Sequence, residues 1–175
     1  MALISVDELN EYTQNYEDAA YKTTLISAAS EVVEGYLGYS VASAERSYQL
    51  ISYATDAILL PVPNVTKVSG VLVDGETLDD GDYTLLRGRL FSQLCFTNSI
   101  PRGAKVVITY TAGYETVPDA IKLAALRIAA LMLEEANGNI GVTGKTFADM
   151  SKQFISYTNY DKYLRPISGY RLGAL

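Results

Sequence analysis

The stretch from Lys105 to Glu135 constrains the fold of this chain more than any other. A β-branched and aromatic run, Val106-Val107-Ile108-Thr109-Tyr110, predicts a strand, and Gly113 breaks it. A helix is then expected to open on Pro118. The missing proline N–H suits the first helical position, and Asp119 beside it complements the positive end of the helix dipole. Between Ala120 and Leu133 only Lys122 and Arg127 are charged. A helix apolar almost all round needs cover on nearly every side, from its own domain, from neighbouring subunits, or from both. That need points toward assembly rather than catalysis.

Composition removes most familiar chemistries. Histidine is absent and Cys95 is the only cysteine. Ser–His and Cys–His pairs, imidazole metal ligands, four-cysteine zinc sites and intrachain disulfides are therefore all excluded. Cys95 lies in Phe91-Ser92-Gln93-Leu94-Cys95-Phe96 with no base nearby, which predicts a buried, inert thiol and synthesis in a reducing cytoplasm. No apolar run is long enough for a membrane span, and the start Met-Ala-Leu-Ile-Ser-Val-Asp lacks the pattern of a signal peptide. Fourteen tyrosines exceed what a core of this size uses. Tyrosine offers a large amphipathic ring at low entropy cost and is enriched at interfaces, whereas half-buried sheet positions account for about half of them.

Charge is uneven along the chain. Residues 1–40 carry seven acids and one base, Lys22, whereas residues 145–175 carry five bases against two acids. An acidic head and a basic tail would complement each other between neighbours, or the tail would meet an acidic partner; two separately solvated faces are the plain alternative.

The local patterns predict an α+β chain. Ser5 followed by Glu8 has capping-box spacing for a first helix. A second, longer helix follows Tyr16-Glu17-Asp18, with apolar residues at helical spacing up to Leu37 and Gly38 as its stop. Strands are expected at 46–52, 57–60, 66–73, 83–86, 89–95 and 105–111. Asp74-Gly75, Asp80-Gly81-Asp82, Arg87-Gly88 and Pro101-Arg102-Gly103 serve as turns between them. The expected layout is a single domain, 1–175. An N-terminal helical pair (1–40) and the central helix (117–136) form a small bundle, with an inserted antiparallel β-meander or small sandwich (45–114). A loop and extended C-terminal tail (137–175) complete it.

Two motifs imitate sites. Gly141-Val142-Thr143-Gly144-Lys145-Thr146 resembles the end of a P-loop, but Asn139 stands where the first glycine belongs and a helix precedes it, so a plain flexible loop is favoured. Asp79-Asp80-Gly81-Asp82 clusters carboxylates, but Leu90 stands where a calcium loop needs its bidentate glutamate, so a hairpin turn is favoured. No catalytic, cofactor-binding or metal-binding residue is assigned. With no basic stripe and a net charge of −6, gripping nucleic acid by its phosphates is disfavoured, although an acidic wall past which DNA slides is compatible with the charge.

The order of elements carries a family resemblance. An N-terminal helical pair leads to Leu59-Leu60-Pro61-Val62-Pro63-Asn64-Val65-Thr66-Lys67-Val68, then to Val71-Leu72-Val73-Asp74-Gly75-Glu76-Thr77-Leu78 and Asp82-Tyr83. Val107-Ile108-Thr109-Tyr110-Thr111-Ala112-Gly113-Tyr114, Val117-Pro118-Asp119-Ala120-Ile121-Lys122, an alanine-rich helix and Tyr163-Leu164-Arg165-Pro166 follow. In this the chain resembles the head–tail connector (adaptor, head-completion) proteins of tailed bacteriophages. The resemblance implies a non-enzymatic virion protein made in the host cytoplasm, without cofactors. It would form a ring of about twelve copies under the portal protein, extend the DNA channel without specific DNA binding, and offer a face to the next neck or tail-completion protein. The tail would supply partner contacts through Tyr157, Tyr160, Tyr163, Arg165, Tyr170 and Arg171. Readings from other classes are a β-type binding or decoration module of a virion and a carboxylate-based enzyme such as a glycosidase. A neighbouring neck or tail-completion protein is a further reading.

Overall fold

A computed structural model describes residues 2–16, 20–88, 91–135, 144–147, 150–153 and 160–172. The fold is mixed α and β with antiparallel sheets and four α-helices among the described residues. The chain divides into two compact units, one of Met1–Gly38 and Val117–Tyr170, the other of Tyr39–Thr116 and Arg171–Leu175.

The first unit is helical. α1 (Val6–Thr13) carries the capping box expected from its sequence: Ser5 Oγ accepts from the Glu8 N–H at 3.1 Å, and the Glu8 carboxylate accepts from the Ser5 N–H at 2.7 Å. α2 (Ala20–Leu37) ends as expected at Gly38, whose φ of 84° suits a residue without Cβ and whose N–H reaches the Glu34 carbonyl. α3 (Asp119–Glu134) starts one residue later than expected. Pro118 is the N-cap, with ψ 137°, and its carbonyl accepts from Ile121 and Lys122. The proline still sits where an N–H would be orphaned.

α3 packs against α2, against α1, and against a short α4 (Asp161–Leu164) with its following 3-10 turn (Arg165–Tyr170). Ile121, Ala124, Ala125, Ile128, Ala129 and Leu133 are buried there with Leu9, Ile26, Ala29, Val33 and Leu37. Alanines on the facing surfaces let the helices pack closely. The apolar helix is thus covered largely by its own unit, and Leu123, at 38% exposure, is its one large apolar side chain left exposed. The expectation that neighbouring copies complete its cover is corrected to that extent. Residues 161–170 are likewise helical rather than an extended tail, because Leu164 and Ile167 are buried. Two further strands, β8 (Gly144–Phe147) and β9 (Met150–Gln153), pair antiparallel. Gly144 and the two residues after it therefore enter a strand, where a phosphate-binding loop would need a helix.

The second unit is built on two sheets. The first, in the order β1-β7-β3-β4, joins β1 (Ala44–Ile51), β7 (Lys105–Ala112), β3 (Val65–Val73) and β4 (Glu76–Thr77). The second, in the order β2-β6-β5, joins β2 (Thr55–Leu60), β6 (Ser92–Ile100) and β5 (Tyr83–Arg87). All pairings are antiparallel. Alternate residues of β7 (Val106, Ile108, Tyr110, Ala112) meet Leu94, Phe96 and Ile100 of β6, Ile58 and Leu60 of β2, and Val65 and Val71 of β3 in one buried cluster. β6 begins at Ser92 and runs on to Ile100, past the expected end at Cys95, because β2 rejoins it at Ile100 beyond a register shift and β5 pairs with it at Phe96; residues 89 and 90 lie outside the described residues. Cys95 alternates away from the core side of β6 and is half-buried, where full burial is expected from its apolar neighbours.

Turn chemistry follows the sequence closely. Asp74 and Gly75, with φ of 51° and 93°, make the left-handed turn joining β3 to β4, and Asp74 Oδ1 accepts from the Lys105 N–H at 2.8 Å. Gly113, with φ 111°, ends β7, and its N–H and C=O both meet Asn64, the carbonyl accepting from Nδ2 at 2.6 Å. A Cβ on Gly113 would collide with the Ala42 backbone carbonyl. Gly113→Ala is therefore expected to lower stability by about 2–4 kcal/mol, from backbone strain plus that collision. Chemical denaturation would show it as a lower midpoint at unchanged slope.

Candidate assembly surfaces

Each unit has its own surface of interest. In the helical unit, Tyr12 of α1, Arg127, Ala130, Leu131 and Glu134 of α3, and Lys162 and Tyr163 of α4 line an open groove of about 400 Å³. The Arg127 guanidinium carbon and the Lys162 ammonium both lie 5.9 Å from the centroid of the Tyr163 ring. Cations are drawn to the negative face of an aromatic ring, so one tyrosine holds two like charges near each other. Among the described residues Glu134 is the one acid in the lining. Tyr12 remains 46% exposed beside it. The arrangement offers cations, aromatic faces and an apolar floor to a ligand carrying carboxylates.

Among the residues expected to contact partners, Tyr163 lies in this groove, and its N–H reaches the carbonyl of half-buried Tyr160. Arg165 is exposed at the C-terminal cap of α4, Tyr170 is half-buried at the end of the 3-10 turn, and Arg171 falls in the second unit. Tyr157 lies outside the described residues. Tyr12, Arg127 and Lys162 were not singled out as contact residues from sequence. Periodicity marks Arg127 only as one of two charges on an apolar helix, and says nothing about a tyrosine some 36 residues downstream.

In the β unit, the acidic turn at Asp79-Asp80-Gly81-Asp82 is occupied with its own hydrogen bonds. Asp82 Oδ2 accepts from the Asp79 N–H at 3.2 Å, and Asp80 Oδ1 accepts from the Tyr83 hydroxyl at 3.0 Å. Burial, then that hydrogen bond, raises the Tyr83 pKa. Among the described residues no group of three or more His, Cys, Asp and Glu is placed to hold a metal ion. Among the described residues, Ile51, Tyr53, Leu86 and Phe91 are the exposed large apolar side chains of this unit, with Tyr53 the barest at 82%.

A family profile described as head completion protein matches residues 2–165. The chain belongs to the head completion protein family. Among solved structures it is similar to a chain in the neck of an empty gene transfer agent particle computed with C6 symmetry, with TM-score 0.67 and 18% identity over 99% of this chain and 91% of that one. A chain in the neck of the native particle computed with C12 symmetry gives TM-score 0.66 and 16% identity over 97% and 89%. One in the native virion gives 0.64 and 17% over 99% and 91%. At these identities the likeness speaks for the fold. Comparison with curated proteins finds no match.

In this head completion protein, α1 and α3 are also tied beside the capping box, where Lys122 Nζ lies 3.0 Å from Glu8 Oε1. The Ser5 N–H, then Lys122, hold the Glu8 carboxyl below its ordinary 4.5. A depressed folded pKa contributes stability above the unfolded value and loses it as pH falls through the folded one. Acid unfolding of Glu8→Gln should accordingly show a shallower loss of stability below pH 4.5 than the parent. The difference at neutral pH should be at most about 1 kcal/mol because the pair is solvent-screened.

Proposed function

We propose that the protein is a structural component of the virion neck. It assembles as a closed ring under the portal, lengthens the DNA channel and presents a docking face to the next neck or tail protein. The observation that carries this reading is the family match across residues 2–165, supported by a shared fold with neck chains in particles computed with sixfold and twelvefold symmetry. A ring interface is heterologous, so a copy must present two different surfaces to its neighbours. The chain's charge polarity, acidic over 1–40 and basic over 145–175, is compatible with that need. DNA would pass without specific contacts, since a net charge of −6 favours weak interaction with phosphates.

The tail is the part proposed to meet the portal. Tyr163 with Arg127 and Lys162 forms the anion-accepting centre, Arg165 extends it, and Tyr157, Tyr160, Tyr170 and Arg171 are proposed as further contacts. Carboxylates on the portal side would complete the cation-flanked ring, and desolvation on docking strengthens such pairs.

Sedimentation or mass photometry with purified portal tests the assignment. A ring-sized complex is expected, and a strict monomer that ignores the portal at high concentration overturns it. Arg127→Glu combined with Lys162→Glu should weaken portal binding by at least about tenfold, and raising the salt concentration should weaken the parent more than the variant.

A further inference from the structure

The exposed apolar side chains of the β unit gather at its two ends. A short turn, 101–104, joins β6 to β7, so the close of β6 and the start of β7 share one end. The start of β6 and the close of β7 share the other. Ile51 pairs with Lys105, and Ser52 exchanges backbone hydrogen bonds with Gly103 and Ala104, which puts Ile51 and Tyr53 at the first end. Arg87 pairs with Ser92, and the Gly88 N–H donates to the Phe91 carbonyl at 2.9 Å, which puts Leu86 and Phe91 at the second. The eight residues of β7 hold the two ends about 25 Å apart. All four side chains are at least 50% exposed, and among the described residues no other large apolar side chain of this unit is exposed.

Charge separates along the same axis. At the first end Asp56, Asp74, Glu76, Asp79, Asp80 and Asp82 stand against Arg102 and Lys105. At the second, Arg46, Lys67 and Arg87 stand against Glu45 and Glu115, with Arg89 beside them in sequence. Three of the acids are engaged, but by neutral donors: Asp74 by the Lys105 N–H, Asp80 by the Tyr83 hydroxyl and Asp82 by the Asp79 N–H. Arg87 in turn donates to the neutral Thr66 carbonyl at 2.6 Å. Among the described residues none of these charges lies in an ion pair. One end is negative and the other positive, and each carries an apolar pair.

That distribution selects a partner. Protein interfaces combine an apolar centre with a polar rim, and each end of the unit has both. The negative end is matched by a surface with large apolar side chains and a positive balance, and the opposite end of the same unit is such a surface. Two unlike surfaces that complement each other make a head-to-tail contact, which forms a ring when its rotation closes, whereas a two-fold pair uses one self-complementary patch. The turn under Tyr53 is also preset. Ser52 is buried, and its hydroxyl donates to the Ile100 carbonyl at 3.3 Å and accepts from the Ala54 N–H at 3.2 Å. A tyrosine on a fixed turn loses little entropy when a neighbour buries it.

We propose that neighbouring copies meet end to end through their β units, the Ile51 and Tyr53 end of one against the Leu86 and Phe91 end of the next. The inference rests on the ring of the proposed function. It is tested by mass photometry on the full-length protein with purified portal. One variant combines Asp56→Lys, Glu76→Lys and Asp79→Lys, which makes both ends positive. The other combines Lys67→Glu and Arg87→Glu, which makes both ends negative. All five residues are exposed, so thermal unfolding should stay close to the parent's. Alone, each variant should need at least about tenfold more protein to form rings. Mixed in equal amounts, the two should form rings at the parent's concentration, because unlike ends then alternate around the ring. Assembly of either variant alone at the parent's concentration overturns the contact and leaves the ring standing, as does failure of the folded pair to assemble when mixed. Absence of rings from the parent overturns both. Tyr53→Ala gives a measurement free of charge reversal: the concentration needed for rings should rise about tenfold, and an unchanged one overturns the contact.

Discussion

Strand β7 is the element on which the β unit is registered. It is hydrogen-bonded on both sides, to β1 and to β3, and its inward residues form the middle of the buried cluster. A one-residue slip would turn Val106, Ile108, Tyr110 and Ala112 to the opposite face, so the hydrophobic pattern specifies the register. The strand's end is held as firmly. Asn64, itself at φ 54°, exchanges two hydrogen bonds with Gly113, while Tyr114 pairs with Val41 and Ser43 through its backbone. Pro61-Val62-Pro63-Asn64 and Ala112-Gly113-Tyr114, which carry much of the family resemblance as separate motifs, are two halves of one closure.

The apolar helix has a plainer explanation than its sequence suggests. Its Ile121, Ala124, Ala125, Ile128, Ala129 and Leu133 are buried, with α2, α1 and the short helical segment at 161–170 packed against it, so the helix by itself does not demand a neighbour. The case for assembly therefore rests on family membership and on surfaces outside the helix core. One is the cation-flanked groove around Tyr163, the other the exposed apolar residues of the β unit.

Much of the architecture was legible because the local signals agree with one another. The capping box at Ser5 and Glu8, the stop at Gly38, the Asp74-Gly75 turn and the alternation of β7 each arise from interactions within a few residues. Where sequence reasoning missed, a distant partner had decided the matter. β6 extends beyond Cys95 because β2 rejoins it at Ile100 past a register shift. Lys22, in sequence merely the one base of an acidic segment, is 1% exposed, with its ammonium held by Asn10 Oδ1 at 2.7 Å and the Asn15 carbonyl at 2.9 Å. No periodicity foretells a buried ammonium, because its satisfaction depends on two asparagines brought in by a different helix and its following loop.

The amino-acid sequence by itself determined the fold class, most element boundaries, the absence of histidine- and cysteine-based chemistry, and membership of a head completion family. These follow from short-range spacing and from residue types that are present or missing. Tertiary structure decided which charges meet which rings, how far the central helix is covered, and where the bare Tyr53 stands. Those properties depend on strand order and on contacts between residues tens of positions apart, and the chain's local physics does not encode such distances.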